Sequence, residues 1–318
     1  MTAARIFPIE IIRRTDRDEP LDDRKLRRLL ASGEWTRIAP GAFARTSDWR
    51  SGTPLDRHRT RVSEVARRMR RPAVLSHFAA ASIHGIDVLG PWPQLVDVTV
   101  PRSSGGRSSG DVRRRTREHG EPETQPWGRH RVTTPAQTAL DLARALPFVD
   151  GVAVVDQAIR QERPGGALTT RAEIERLWEL DNRHRGNPRA LRAISFANPL
   201  AANVRESQSR VLLARLGFPT PRLQERRVLR SGRLVFGDFY FPTYDHWAEL
   251  DGRGKYRSPD FGADRDPVAI VIDEKNRENE IRREVRGFSR WEPVDADNPR
   301  VLYDILTSDG LPSCLPRP

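Results

Sequence analysis

Residues 233–252 read RLVFGDFYFPTYDHWAELDG. Aromatic and β-branched residues crowd around Asp238: Val235, Phe236, Phe239 and Tyr240. That composition predicts a strand with one acid inside it, stopped at Pro242, and then a second strand carrying Glu249 and Asp251. Upstream, LQERRVLR (223–230) and the Ser231-Gly232 turn complete a hairpin with the first strand. Before it, NVRESQSRVLLARLGF (203–218) reads as a helix, with Val211, Leu212 and Leu216 as its apolar stripe and Gly217 as its stop. Downstream, PVAIVI (267–272) is a short buried strand or the lead-in to a helix, DEKNRENEIRREVRGF is a helix ending at Gly287, and FSRW is a last strand. The order is α-β-β-β-α-β.

Side chains alternate along a strand, so Glu249 and Asp251 point to one face, and the hairpin can set Asp238 beside them. Three carboxylates on one face repel unless something positive sits between them. Mg²⁺ is the expected partner, because hard cations take oxygen ligands and keep waters. Asp238, Glu249 and Asp251 are thus the candidate metal ligands, against the plainer reading that they are surface acids. Lys255 follows four residues after Asp251. Glu206 could add an oxygen, although its spacing from Asn203 is also that of a capping box. Lys275 sits in a helix of alternating charge, where pairs such as Glu278–Arg282 fit a solvated face.

The whole chain has 318 residues, 55 cations against 43 acids and a formal charge of +12. Lysine occurs only at Lys25, Lys255 and Lys275, so nearly all of that charge is arginine. An arginine-rich basic chain collects phosphates, which makes nucleic acid the first partner to expect, and RNA fits the charge as well as DNA. The single cysteine, Cys314, excludes internal disulfides and thiolate metal clusters and fits a cytoplasmic protein. The first residues carry acids and no long apolar stretch, unlike a secretory leader, and no run approaches the ~20 apolar residues of a membrane span. No phosphate-binding glycine loop and no nucleophile elbow is present.

Nearer the start, Leu26, Leu29 and Leu30 define one helix face, and Arg24, Arg27 and Arg28 the other. Pro40-Gly41 suits the centre of a type II turn and lets Trp35–Ile38 pair with Ala42–Arg45. A basic helix followed by a basic hairpin is the outline of a winged helix. Residues 57–71, 76–85, 133–146 and 148–160 read as helices, and 94–101 as a strand. Between residues 101 and 131, Gly, Ser, Pro and eight arginines predict a mobile loop or irregular hairpin. His77 and His84 have too few companions for a zinc site. They read as a packed histidine and a helix-end histidine favoured by the helix dipole.

The C-terminal stretch resembles an uncharacterised family related to the very-short-patch repair endonuclease, within the PD-(D/E)XK restriction-endonuclease-like superfamily. The likeness rests on Glu206, Asp238, the AELDG strand, the EKNRE helix start and GFSRW. It implies an α/β sandwich and Mg²⁺-dependent DNA cleavage. Asp238 and Glu249 would be metal ligands, Asp251 a further ligand, and Glu206 a helix-borne acid near the ion. Where the superfamily has a lysine two residues after the Glu, this chain has Asp251, so Lys255 or Lys275 would supply the positive charge. The front half, through KLRRLLASGEWTRIAPGAFAR, VLSHFAAASIHGI and VTTPAQTALDLA, resembles the AbiEi antitoxin family of bacterial toxin–antitoxin systems. That likeness implies a DNA-binding autorepressor with a cognate toxin as partner. Arg24, Lys25, Arg27 and Arg28 would meet DNA, with Arg37 and Arg45 on the wing.

The expected architecture is a multidomain α+β or α/β chain. It has a winged-helix-like head (1–50), a mixed α/β middle (57–160), a helical linker (161–202), a restriction-endonuclease-like α/β sandwich (203–300) and a tail (301–318).

Overall fold

A computed structural model describes residues 9–13, 22–104, 108, 110–117, 120–181, 185–251 and 267–318, with backbone alone for 267–271. The chain is mixed α and β and divides into two compact units, Met1–Ile159 with Gly165–Ala197, and Arg160–Pro164 with Asn198–Pro318. No helix among the described residues is long and apolar enough to cross a membrane.

The first unit opens with β1 (Ile12–Arg13), α1 (Asp23–Ala31), β2 (Trp35–Ala39), β3 (Ala42–Arg45), α2 (Thr46–Ser51) and α3 (Pro54–Arg68). Asp22 caps α1 by accepting the Arg24 N–H, and Leu26 is the side chain that α1 buries. The hairpin forms around Pro40-Gly41 as its residues dictate, with Gly41 at φ +75. β1 adds to it through Ile12 opposite Phe43, giving the order β1-β3-β2. Arg13 donates to the buried carboxylate of Glu64 on α3 at 2.7 Å. That link, and the clustering of both segments in one unit, joins the expected 1–50 head to the middle region.

Next come β4 (Val74–Leu75), α4 (His77–His84), β5 (Val96–Pro101), β6 (Val112–Arg117), β7 (Thr124–Trp127), β8 (His130–Thr133), α5 (Pro135–Ala145) and α6 (Phe148–Ile159). The five strands lie in the order β6-β5-β4-β8-β7. Val62, Val65, Leu75, Ala79, Val96, Val98 and Val132 form the core beneath α3 and α4. The arginine-rich stretch 101–131 departs from expectation. Val112–Arg117 is an edge strand parallel to β5, and Thr124–Trp127 pairs with β8. Fully buried Asp97 explains β6: it accepts from Arg113 at 2.6 Å and from Arg115 at 2.8 Å. Two arginines two residues apart on one acid favour the extended chain.

The expected linker is also corrected. Residues 171–180 form α7 (Arg171–Leu180) and 187–196 form α8 (Asn187–Phe196), packed on α5 and α6. Ile174, Leu177, Ala190, Ala193 and Ile194 are buried, so these helices are core and not a connector.

The second unit runs α9 (Val204–Arg215), β9 (Arg222–Val228), β10 (Leu234–Phe241), β11 (His246–Leu250), α10 (Pro267–Arg282), β12 (Gly287–Trp291), α11 (Pro293–Ala296) and α12 (Pro299–Ser308). The sheet order is β12-β11-β10-β9, antiparallel except for β11 with β12. Phe239, Phe241, Ala248 and Leu250 pack with Leu212, Leu213 and Leu216 of α9 and with Leu302 and Leu306 of α12. Val235, Tyr240 and Trp247 pack on the other face, with Ile281 of α10 and with Phe288. Helices therefore cover both faces of the sheet. PVAIVI lies in the first turns of α10, the second of its two expected readings. The expected tail belongs to the core as well, since Leu302, Leu306 and Leu311 are fully buried.

Candidate functional site

The acids of the second unit gather where β10 and β11 part. The ladder pairs Phe239 with Ala248. One residue on, the Asp238 carboxylate takes over a backbone role and accepts the Leu250 N–H at 2.9 Å. Across from it, Gln224 of β9 holds a left-handed φ of +49 between the pairs Gly237–Glu225 and Phe239–Leu223. Its amide nitrogen lies 3.1 Å from a Glu206 oxygen and 3.5 Å from an Asp238 oxygen. A non-glycine residue in that backbone region costs about 1–2 kcal/mol, and such strain collects at functional positions.

Glu206 is buried and serves its helix start. It accepts from the Ala202 N–H at 2.8 Å and from the Asn203 amide at 2.6 Å, while Asn203 caps the Arg205 and Glu206 N–H groups. The capping role and the approach to Asp238 through Gln224 are both present.

Glu249 is buried, and its oxygens are occupied. Arg277 of α10 donates to both, at 2.9 and 2.6 Å, the Trp247 indole N–H adds a bond at 3.0 Å, and Arg290 of β12 lies 3.4 Å away. The same two arginines hold Glu274 at 2.7 and 2.8 Å, and Arg290 also reaches Glu278 at 2.8 Å. Asp251 stands at the rim, 3.8 Å from Arg290. Burial works against the Arg277 charge, but Glu274 and Glu249 raise its pKa above the ordinary value. Burial likewise disfavours the Glu274 carboxylate, yet Arg277 and Arg290 hold its pKa below the usual range.

The expected meeting of Asp238, Glu249 and Asp251 around Mg²⁺ is not what these side chains do. Among the described residues, no three His, Cys, Asp or Glu side chains form a group that could hold a metal ion. Asp238 turns to backbone and Glu249 to arginine, so the set as arranged does not fit the ion. Lys255 lies outside the described residues, and Lys275 is exposed on α10. Glu278 does pair with Arg282, at 2.7 Å.

Gln224, Arg277 and Arg290 are site residues that sequence reasoning missed. The arginines belong to segments whose charge looks like ordinary surface charge, and only the fold shows them pointing at Glu249.

In the first unit, Arg24, Lys25, Arg27 and Arg28 on α1, and Arg37 and Arg45 on the hairpin, are all exposed. None of the six side chains makes a hydrogen bond or ion pair among the described residues. His84 lies 2.7 Å from the Thr133 carbonyl through its Nε2.

No protein-family model matches the chain. Residues amounting to 37% of the chain align at 32% identity with uncharacterized proteins of two Mycobacterium tuberculosis strains, CDC 1551 and H37Rv. The match spans 42% of the length of those relatives.

Proposed function

We propose that this chain is a DNA-binding regulator of the antitoxin type. In this reading the winged-helix-like head reads DNA, and the second unit is a nuclease-like scaffold that does not cut. One observation carries it: Arg277 and Arg290 occupy the carboxylate that a hydrolytic centre would need free. The six exposed cations of the head supply the DNA contact, since arginine suits phosphate and guanine edges. A cognate toxin protein is the partner this reading adds.

The test uses the full chain with a labelled fragment of its own promoter, a duplex of unrelated sequence and a duplex RNA. Supercoiled plasmid is incubated in parallel with and without Mg²⁺. The reading expects promoter binding tighter than the unrelated duplex and no nicking. Preference for the RNA would move the partner from DNA to RNA, and nicking abolished by Asp238→Ala would replace the scaffold with an enzyme.

That second reading, Mg²⁺-dependent DNA hydrolysis, is favoured by the α-β-β-β-α-β order and by Asp238 at the parting of β10 and β11. It requires Glu249 to leave Arg277.

A further inference from the structure

We propose that the first unit carries a binding site for a nucleotide-sized polyphosphate, in the arginine-lined cavity bounded by β6 and the starts of α4 and α8. The proposal is independent of whether the second unit cuts DNA. The cavity measures about 490 Å³, within the ordinary range for small-molecule sites. A lone phosphate would leave most of that space empty, whereas a phosphate chain with its nucleoside would use it.

The lining is strongly cationic. Arg115, Arg117, Arg144, Arg185 and Arg189 line the cavity with Asp141, the one acid among the lining residues. Buried acids behind the wall offset only part of this. Asp97 is shared by Arg115 and Arg113, and Asp181 by Arg117 at 2.9 Å and Arg144 at 3.4 Å. Asp141 stands 3.9 Å from Arg117 and 3.8 Å from Arg144. Arg189 is exposed and donates to the Leu146 carbonyl at 2.9 Å. A planar guanidinium offers paired donors to phosphate oxygens, so this surplus has a natural anionic partner.

Backbone dipoles add to it. Both helices that begin at the cavity lack a side-chain cap: α4 starts after Ser76 and α8 after Gly186, and neither residue has a side chain that accepts a first-turn N–H. The positive helix ends favour an anion. His77, at the cavity wall, holds a left-handed φ of +48, a strained backbone in direct view of the site. Gly186 brings the start of α8 against α5. A Cβ there would lie 2.4 Å from the Arg144 carbonyl oxygen, so no other residue allows this approach.

The experiment is isothermal titration of the full chain, in EDTA and low salt, with ATP, pyrophosphate and adenosine. ATP and pyrophosphate should bind and adenosine should not. Arg189→Gln, which keeps a donor for Leu146, should weaken ATP binding about tenfold, the loss of one charged contact. Arg24→Ala/Arg27→Ala in the head should leave ATP binding unchanged. The proposal falls if adenosine binds as well as ATP, if no phosphate compound binds at millimolar concentration, or if Arg189→Gln binds ATP like the parent. It also falls if Arg189→Gln weakens only binding of a DNA duplex, because the arginines would then serve a nucleic-acid backbone.

Discussion

Arg277 grips Glu249 through two parallel bonds, at 2.9 and 2.6 Å, with the glutamate almost closed to water. The pair joins α10 to β11 and converts a site acid into a structural anion. Removing one partner of a buried pair leaves the other charge unsolvated, which costs about 3–5 kcal/mol. Arg277→Ala should therefore lower the stability of the second unit by about 3 kcal/mol, the low end because Arg290 remains beside Glu249. Adding Glu249→Gln should restore part of the loss by removing the stranded charge. Urea denaturation followed by circular dichroism measures both, and a single variant as stable as the parent would refute the clamp.

Gly237 controls the same site from beneath. A Cβ at this position would stand 2.5 Å from the Trp247 indole, whose N–H holds Glu249. Gly237→Ala must push a fully buried tryptophan, and overpacking of this kind costs about 1–3 kcal/mol. The expected result is a lower denaturation midpoint with an unchanged slope. A shift no larger than that of a surface alanine substitution would mean the strands part easily here.

The head predicts a salt signature. Each phosphate neutralised by a cation steepens the fall of log affinity with log salt by ~0.9 on duplex DNA. Arg27→Ala/Arg28→Ala should lower promoter affinity and flatten that slope by about 2, since both side chains are exposed and make no ion pair among the described residues. Fluorescence anisotropy across a range of NaCl concentrations reads this directly, and an unchanged slope would place the DNA surface elsewhere.

Much of the second unit was legible because its signals are local. Asn203 and Gly217 bound α9, Gly232 turns the hairpin, and the alternation of Phe239, Tyr240 and Phe241 sorts the two faces. Segments whose pairing depends on distant residues were not. Arginines 113 and 115 read as loop charge because nothing nearby in sequence shows that Asp97 waits for them. PVAIVI stood between a short strand and the lead-in to a helix, because its composition suits both, and it opens α10. At the site the residue types pointed to the right strands and missed the partners. Which neighbour satisfies Glu249 is decided by α10 and β12, more than twenty-five residues away.

The first unit should lose stability in mild acid through His58. This histidine is buried on α3, stacked 5.0 Å from the Trp92 ring, and neither ring nitrogen has a hydrogen bond of good geometry. Burial lowers its pKa to about 4, with the Asp97 charge and the Pro93 carbonyl offsetting only part of the effect. The folded-state value lies below the ordinary 6.5, so between pH 6.5 and about 4 the unfolded chain binds the proton and the folded chain does not. Stability must fall with pH through that window, by about 1.4 kcal/mol per pH unit and about 3 kcal/mol in all. His77 and His130 are lowered by burial as well and add to the same direction, as His246 does in the second unit. The arginine-held carboxylates, Asp97 here and Glu274 in the second unit, act in the same sense only at lower pH, as their unfolded forms take up protons. His58→Phe keeps the stack on Trp92 and removes the titrating nitrogens. Its unfolding free energy, measured from pH 8 to 4.5, should lose about one proton's worth of slope, and a profile parallel to the parent would show that His58 does not carry the effect.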